Sequence, residues 1–561
     1  MKRIKISNFR KIKDNWDLNL APITFFTGTN NSGKSTVIKA LLVLEDYLKS
    51  NNHFELNFHG ENFLKHKIES YTNAINRDNF QDSQKDIVFE YNNKGFDISI
   101  TFEPSKNSLK ASLKELKLER RNDSSLKIKR ISSNKYQLQL DAYFFEQSKS
   151  LEKEDEKGKL DMLALYHTTI NVIEEDKKDV ERLEFEVDGY TRDIQTIELG
   201  GENIWTEKFP GQDMDELITQ FKSEINKRRK KIFELKQRIS DAEKKLKEIQ
   251  KKRNQIAHKV QDRLVYSPTF SLDEFDISNR RIDKIIRTVL PKYLVENSFN
   301  RSKGNKFKNS DESLELDKAN KLGDKILSAI TFKVKHLSPH RSSQSKLFTH
   351  DNRDVDINNL VKEHSEYQTF NDMVVLRFMQ HWMSKDYFDI GEDYRITTYE
   401  SMASKIEILE AGSWINISDK GFGAGQVFSI LLVIGLGVFE VLSKGMLETD
   451  EEFTILIEEP EANLHPALQS KLTELFFEVY REFGIKFILE THSEYMIRKS
   501  QVFVKEMSRD SDSIINIPFE IYYFENEGKP YSMKYRKDGK FTNEFGPGFF
   551  DVNSNLAFDI L

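Results

Sequence analysis

The spacing of apolar residues changes character several times along the chain. Arg3-Ile4-Lys5-Ile6 and Ile23-Thr24-Phe25-Phe26 read as two strands around a turn of mixed polarity, and the run from Val37 to Leu44 begins a strong helix. Residues 50–85 are polar with scattered aromatics and carry no clear period. Strict alternation then sets in at Ile87–Tyr91 and Phe96–Phe102 and returns at Leu113–Leu118, Leu126–Ile131 and Tyr136–Leu140. Turn residues separate these runs, which predicts an antiparallel meander lying against the sheet that holds Ile23–Phe26. Between Leu160 and Val260 the period becomes helical. Met214, Ile218, Phe221, Ile225, Ile232, Leu235, Ile239, Ala242, Leu246, Ile249, Ile256 and Val260 keep an alternating 3,4 spacing, broken only at Arg228 and Arg253. A less regular helical run, 160–197, precedes it, and a loop with Gly200-Gly201 and Pro210-Gly211 joins the two, so an antiparallel coiled-coil hairpin is expected. An arm of about 45 residues would reach about 65 Å.

Beyond the hairpin, helices are expected at Asp283–Val295, Leu314–Ala329 and about 358–384, with a polar loop over 300–313. Strands are expected at Thr331–Leu337, Tyr394–Thr398, Lys405–Leu409 and Trp414–Ser418. Phe453 to Ile457 is an unbroken apolar run, read as a buried parallel strand ending in Glu458-Glu459, and Lys486–Leu489 is a further strand running into Glu490-Thr491-His492-Ser493. The expected organisation is α/β: a head formed by 1–150 and 266–561, interrupted by the hairpin at 151–265.

Charge changes the reading of the hairpin. Lys222–Arg253 holds 14 Lys/Arg against 5 Asp/Glu, which alone suggests a nucleic-acid contact, but Glu152–Glu198 holds 15 Asp/Glu against 7 Lys/Arg. Pairing of the arms and a nucleic-acid contact therefore both stand as readings. The net charge of −6 gives the whole chain no basic signature, and the absence of cysteine excludes disulfides and thiolate metal sites. No signal peptide is evident at Met1-Lys2-Arg3-Ile4-Lys5, and no apolar run was expected to approach the roughly 18–20 residues of a membrane span, so a soluble, cytoplasmic protein without membrane contact is expected.

The most specific chemistry is Gly28-Thr29-Asn30-Asn31-Ser32-Gly33-Lys34-Ser35, which fits G-x-x-x-x-G-K-[ST] between a strand and a helix. Such a loop aims backbone N–H groups and a helix dipole at polyphosphate. Gly28, Asn30, Asn31, Ser32, Gly33, Lys34, Ser35 and Thr36 are the expected contacts to ATP, with Lys34 on the β- and γ-phosphates and Ser35 on Mg²⁺. The glycine-rich Ser418–Gln426, with Gly423, Gly425 and Gln426, is expected to open a helix at Val427–Leu442. Glu458 suits the Mg²⁺ shell and Glu459 the orientation or deprotonation of an attacking water. His492 follows the carboxylate strand by one strand-helix-strand length, which predicts both strand ends on one rim.

Together these motifs resemble the ABC-type ATPases with an SMC-like head, in which a coiled-coil hairpin splits the head. Glu458–Pro466, Glu490–Ser493 and the tail from Gly539 to Asp551 are similar to prokaryotic ATPases of the overcoming-lysogenization-defect (OLD) and Septu anti-phage defence type, and Leu337–Arg341 resembles their Pro-x-Arg element near the nucleotide. The resemblance implies a homodimer of heads sandwiching two ATPs, with catalytic roles for Glu459 and His492 and nucleotide contacts from Arg341 and from the glycine-rich turn of the other chain. One departure is Gly425, where the family commonly has serine before the glutamine, so hydrolysis is expected to be slow. OLD nucleases carry a nuclease domain after the head, and the residues 494–561 are too few for one. The expectation is an ATPase sensor and scaffold working with a separate nuclease, for example of the HNH type. A DNA-repair clamp of the SMC/RecF kind is the alternative.

Overall fold

A computed structural model describes residues 1–60, 63, 65–81, 86–105, 110–120, 125–141, 213–259, 265–301, 310–341, 345–349, 356–367, 373–400, 402–443, 452–509, 517–547 and 549, together with 169, 172–173, 176–177, 179–180, 182–184, 186–195 and 197–198. The chain divides into two units, one formed by Met1–Asp141 with Tyr266–Leu561 and the other by Ala142–Val265.

The first unit is built on a six-stranded sheet in the order Lys333–Leu337, Phe453–Glu458, Lys486–Glu490, Ile23–Gly28, Phe519–Phe524, Tyr531–Ser532. All neighbours are parallel except the last pair. Phe453–Glu458 and Ile23–Gly28 are buried at every position, as unbroken apolar runs covered on both faces must be. Helices Pro466–Phe483 and Glu494–Arg509 supply the parallel crossovers, and the 22-residue helix Phe422–Ser443 lies in the core. A Cβ at Gly437 would stand 3.0 Å from the Phe453 ring, so a small residue there allows the helix to pack closely on the strand. That helix is long and apolar enough to cross a membrane, contrary to the sequence expectation, but 83% of its apolar window is buried inside the protein.

The alternating runs form an antiparallel sheet, with Ile87–Asn93, Phe96–Pro104, Ala111–Arg120, Ser125–Arg130 and Lys135–Asp141 as successive neighbours. Two differences from expectation appear at its start. Arg3–Ser7 pairs with Ile87–Asn93 and so belongs to this sheet, and Trp16–Asn19, which the polar spacing concealed, forms a hairpin with it. A smaller sheet of Phe348–Thr349, Asp393–Tyr399, Ala403–Glu410 and Ser413–Asn416 precedes the core helix. The helical section expected over about 358–384 holds two helices, Asp356–Tyr367 and Met373–Met383, with 368–372 outside the described residues. Residues 300–301 and 310–313, expected in a loop, are helical, and 302–309 lie outside the described residues.

In the second unit a 46-residue helix, Met214–Lys259, packs against the helical positions described between 169 and 198. Ile218, Phe221, Ile225 and Ile232 from the expected seam meet Val187, Tyr190 and Ile194, while Leu217, outside that seam, is buried against Ile197. Arg228, the break in the heptad pattern, lies 4.8 Å over the Tyr190 ring and donates to Glu186 at 2.6 Å. Lys236 reaches Glu184, Lys177 reaches Glu243, and Arg238 binds Asp176 through two hydrogen bonds. From Arg228–Glu186 through Lys236–Glu184 to Arg238–Asp176 the partner numbers fall on one side as they rise on the other, so the two helical stretches are antiparallel and their opposite charges meet each other.

Candidate functional site: a phosphate loop and a carboxylate rim

The loop after Ile23–Gly28 is shaped by close approaches that only glycine permits. Gly28 has φ 131°, and a Cβ there would stand 2.1 Å from the Phe524 carbonyl oxygen. Gly33 has φ 107°, with a Cβ position 2.6 Å from the Trp16 ring. Asn31 also takes a left-handed backbone, φ 60°, which asparagine tolerates better than most residues. Thr29 N–H donates to the Phe524 carbonyl at 3.0 Å, so the tail strand Phe519–Phe524 holds one edge of the loop. Helix Lys34–Lys49 then starts at Lys34, directing its N-terminal end at the loop.

Lys34 is buried, and its Nζ donates to the carbonyls of Gly28 at 3.2 Å and Thr29 at 2.7 Å. Burial lowers the Lys34 pKa, while the charges of Glu490 and Glu459 oppose that shift. Ser35 Oγ–H is shared between the two carboxylate oxygens of Glu490, at 3.0 and 2.9 Å. Asn30 and Asn31 are exposed, Thr36 is half-buried, and Ser32 is buried with its Oγ lacking a hydrogen-bond partner among the described residues.

Parallel pairing brings the strand ends together. Glu458 stands opposite Glu490, and Glu490 opposite Phe26 of the phosphate-loop strand, so the two carboxylates share one rim with the loop. Burial works against the Glu458 charge, yet a 2.7 Å hydrogen bond from His336 Nε2 and nearby cationic side chains hold its pKa below the usual range. Glu490 is pushed the other way, up to about 7, by burial and then by the Glu458 charge; Ser35 and Lys34 only partly offset this. Glu459 is half-buried in a left-handed conformation, φ 47°, with its N–H on the Glu490 carbonyl at 2.7 Å. That conformation costs on the order of 1 kcal/mol for a residue with a Cβ, and here it is imposed by the main-chain bonds on either side of the turn. His492 is exposed, and its N–H donates to Glu461 Oε1 at 2.6 Å. Partial desolvation of the ring against the rim, and then the Lys34 charge, lower its pKa despite the opposing Glu459 charge.

Arg341, expected as a nucleotide contact, sits at the carboxylate turn. It is fully buried, with Nη1 on the carbonyls of Ser338 at 3.0 Å and Glu458 at 2.5 Å and Nη2 on the carbonyl of Glu459. These bonds hold the carboxylate turn from within. Burial pulls the Arg341 pKa down to about 10, and the charges of Glu461, Asp356, Glu459 and Glu458 oppose the shift.

The glycine-rich segment differs in its helix boundary. The helix begins at Phe422, five residues before the expected start, so Gly423, Gly425 and Gln426 lie in its first turns. A Cβ at Gly423 would stand 3.0 Å from the Asn463 carbonyl, and Gln426 is buried with Oε1 unpartnered among the described residues. Among the described residues, no hydrogen bond joins Gly423, Gly425 or Gln426 to the phosphate loop.

The donor set fits a nucleotide-bound Mg²⁺: a hydroxyl, two carboxylates on adjacent strand ends, a glycine cradle and the orphaned Ser32 hydroxyl. Among the described residues no group of three His, Cys, Asp or Glu could hold a metal by itself. Mg²⁺ typically takes one or two protein carboxylates and completes its octahedron with phosphate oxygens and water. Glu490, Glu461 and His336 were not singled out from sequence as parts of the site. A signal for Glu490 exists: it is the charged residue closing the apolar run Phe487-Ile488-Leu489.

Among solved structures, the chain is similar to the Smc head domain with an extended coiled coil bound to the C-terminal domain of ScpA, from Pyrococcus furiosus, at 10% identity, covering 100% of this chain and 98% of that one with a TM-score of 0.34. It is also similar to the recombination mediator protein RecF of the RecFOR pathway with ATPrS, at 12% identity, 95% and 98% coverage and a TM-score of 0.27. No curated protein matches the sequence. The profile described as AAA ATPase domain matches residues 1–497, through the phosphate loop, the carboxylate strand and His492, and the chain belongs to that ATPase family.

Proposed function

We propose that the chain binds ATP with Mg²⁺ at this rim and hydrolyses it slowly, as the sensor and scaffold subunit of a prokaryotic anti-phage defence system whose nuclease is a separate chain. The observation that carries the catalytic part is the meeting of Lys34, Ser35, Glu458, Glu459 and Glu490 at one end of the parallel sheet. A bound Mg²⁺ would be held by Ser35 and Glu458 and would neutralise phosphate charge. The loop N–H groups and Lys34 hold the phosphates, and Lys34 exchanges its bonds to the Gly28 and Thr29 carbonyls for phosphate oxygens. Glu459 orients the attacking water and accepts its proton, and His492, exposed on the same rim, contacts the γ-phosphate. Gly425 brings no hydroxyl to a neighbouring head in a homodimer, which favours binding over turnover.

The wider role rests on the resemblance of Glu458–Pro466, Glu490–Ser493 and the tail to OLD and Septu ATPases. The DNA-clamp reading is supported by Arg229, Lys230 and Lys231, which stay exposed while other basic residues of the helix pair with acidic ones. Calorimetry with an ATP analogue tests the core of the proposal: Lys34→Ala is expected to weaken binding more than about 100-fold, about 2.7 kcal/mol. Undiminished affinity in that variant would remove the foundation of the site. Plasmid cleavage assayed with the chain alone and with its neighbouring gene product tests the partner. Cleavage by the chain alone, lost on mutating its own site, would return the activity to this polypeptide, and tight binding of duplex DNA would favour the clamp.

A further inference from the structure

Ser35 has one proton to donate and lone pairs to offer a metal. A serine in this position binds the cation through a lone pair, so something else must accept its proton and fix its rotation. The sequence pattern points to Glu458 for that neighbourhood, as the end of the carboxylate strand. In the structure Glu458 Oε1 is engaged by His336, and its main-chain carbonyl is held by Arg341. The Ser35 proton goes instead to Glu490, on the strand lying between the phosphate-loop strand and the carboxylate strand.

We propose that Glu490 is a positioning residue of the Mg²⁺ site: its carboxylate accepts the Ser35 hydroxyl proton, turns the Ser35 lone pairs toward the cation and adds the negative charge that draws Mg²⁺ to the loop, while Glu458, steadied by His336, faces the same cation from the adjacent strand. This rests on the nucleotide-site reading above. A glutamine would satisfy a serine hydroxyl equally well, so hydrogen bonding alone does not call for a charge here. Burying a carboxylate beside the buried Glu458 is unfavourable without a cation to share. Glu490 is only 7% exposed, and Lys34, whose charge partly offsets its burial, is expected to move to the phosphates when nucleotide binds.

The test reads metal, not turnover. A fluorescent ATP analogue is bound to wild type and to Glu490→Gln, first in EDTA and then across a Mg²⁺ titration, with circular dichroism confirming the fold. Glu490→Gln is expected to raise the half-saturating Mg²⁺ concentration about tenfold, the usual cost of losing an outer-shell partner, while binding in EDTA stays equal or tightens. An unchanged Mg²⁺ midpoint in the folded variant overturns the proposal. If Glu490→Gln does not fold, Glu490→Asp, with its carboxylate drawn back by one methylene, is expected to raise the midpoint severalfold, and an unchanged midpoint there overturns it equally. Failure of wild type to bind the analogue at any Mg²⁺ concentration refutes the nucleotide site itself, a result distinct from either outcome.

Discussion

Along the paired helices, Lys236 meets Glu184 and Lys177 meets Glu243 at the surface, each charge facing its opposite in water. At the sheet rim, Glu458 and Glu490 stand side by side below the surface, with a histidine on one and a serine on the other. The helices spend their charges on each other, and such exposed pairs contribute little individually. The rim keeps an excess of negative charge in a poorly solvated place, an arrangement that suits a cation brought by a ligand. The contrast separates a structural use of charge from a chemical one, and it can be tested from both sides.

The largest expected effect is on turnover. Glu459→Gln removes the proposed base but leaves the loop intact, so ATP binding is expected within about twofold of wild type while steady-state hydrolysis falls 100-fold or more. His492→Ala is expected to slow turnover about tenfold, as the loss of one phosphate contact. Phosphate release measured at saturating ATP checks both. Hydrolysis by Glu459→Gln at the wild-type rate would reassign the base.

Next is the buried cation that holds the carboxylate turn. Arg341→Ala leaves the carbonyls of Ser338, Glu458 and Glu459 without their donor and removes a fully buried side chain. Breaking a buried charged network in this way costs about 3–5 kcal/mol. A large fall in the thermal midpoint is expected, and Arg341→Lys should recover only part of it because an ammonium cannot span three carbonyls as a planar fork does. A midpoint within about a degree of wild type for Arg341→Ala would show that the turn stands without it.

Glu490 gives a pH signature. Its folded pKa of about 7 lies above the 4.5 of an unperturbed glutamate, so the native state holds the extra proton. The associated stabilisation is complete below about pH 4.5 and is lost as pH rises through about 7, at about 1.4 kcal/mol per pKa unit. Without nucleotide or Mg²⁺, Glu490→Gln is expected to melt a few degrees above wild type at pH 8 and close to it at pH 5. A difference of equal size at both values would sever the link between this carboxylate and its crowded surroundings.

What the sequence made legible follows the reach of each interaction. The phosphate loop was readable because its chemistry lies within eight consecutive residues and its glycines answer to local backbone demands. The meander was readable because alternation is a local consequence of one buried face, as the burial of Ile87–Asn93 shows. The support that Arg341 gives the carboxylate turn was not legible because two of the three carbonyls it holds lie 117 and 118 residues away, and no local pattern marks such a contact. Glu490 escaped notice because its partner is Ser35, 455 residues off, and only parallel pairing in the folded sheet brings them together. Trp16 was passed over for the same reason: its spacing is polar, and its importance lies in the ring set against Gly33.

The smallest expected effect lies on the helices, where it sharpens the contrast most cleanly. Lys236 and Glu184 are both about half exposed, at 57% and 48%, with Nζ 2.6 Å from Oε1. Lys236→Ala removes a pair that water already screens on both sides, so the expected loss is under about 0.5 kcal/mol and should vanish in 1 M salt, where the Debye length falls to about 3 Å. Arg238→Ala is the informative companion. Its guanidinium is 62% exposed, but the Asp176 side chain it binds is only 3% exposed and would be left buried and unpaired. The loss there should exceed that of Lys236→Ala severalfold and persist in salt, because desolvation of the carboxylate does not depend on mobile ions. Equal, salt-sensitive effects in the two variants would show that the helices treat all their charges as surface charge. Unequal effects would show that even in this unit burial, more than pairing, decides what a charge is worth.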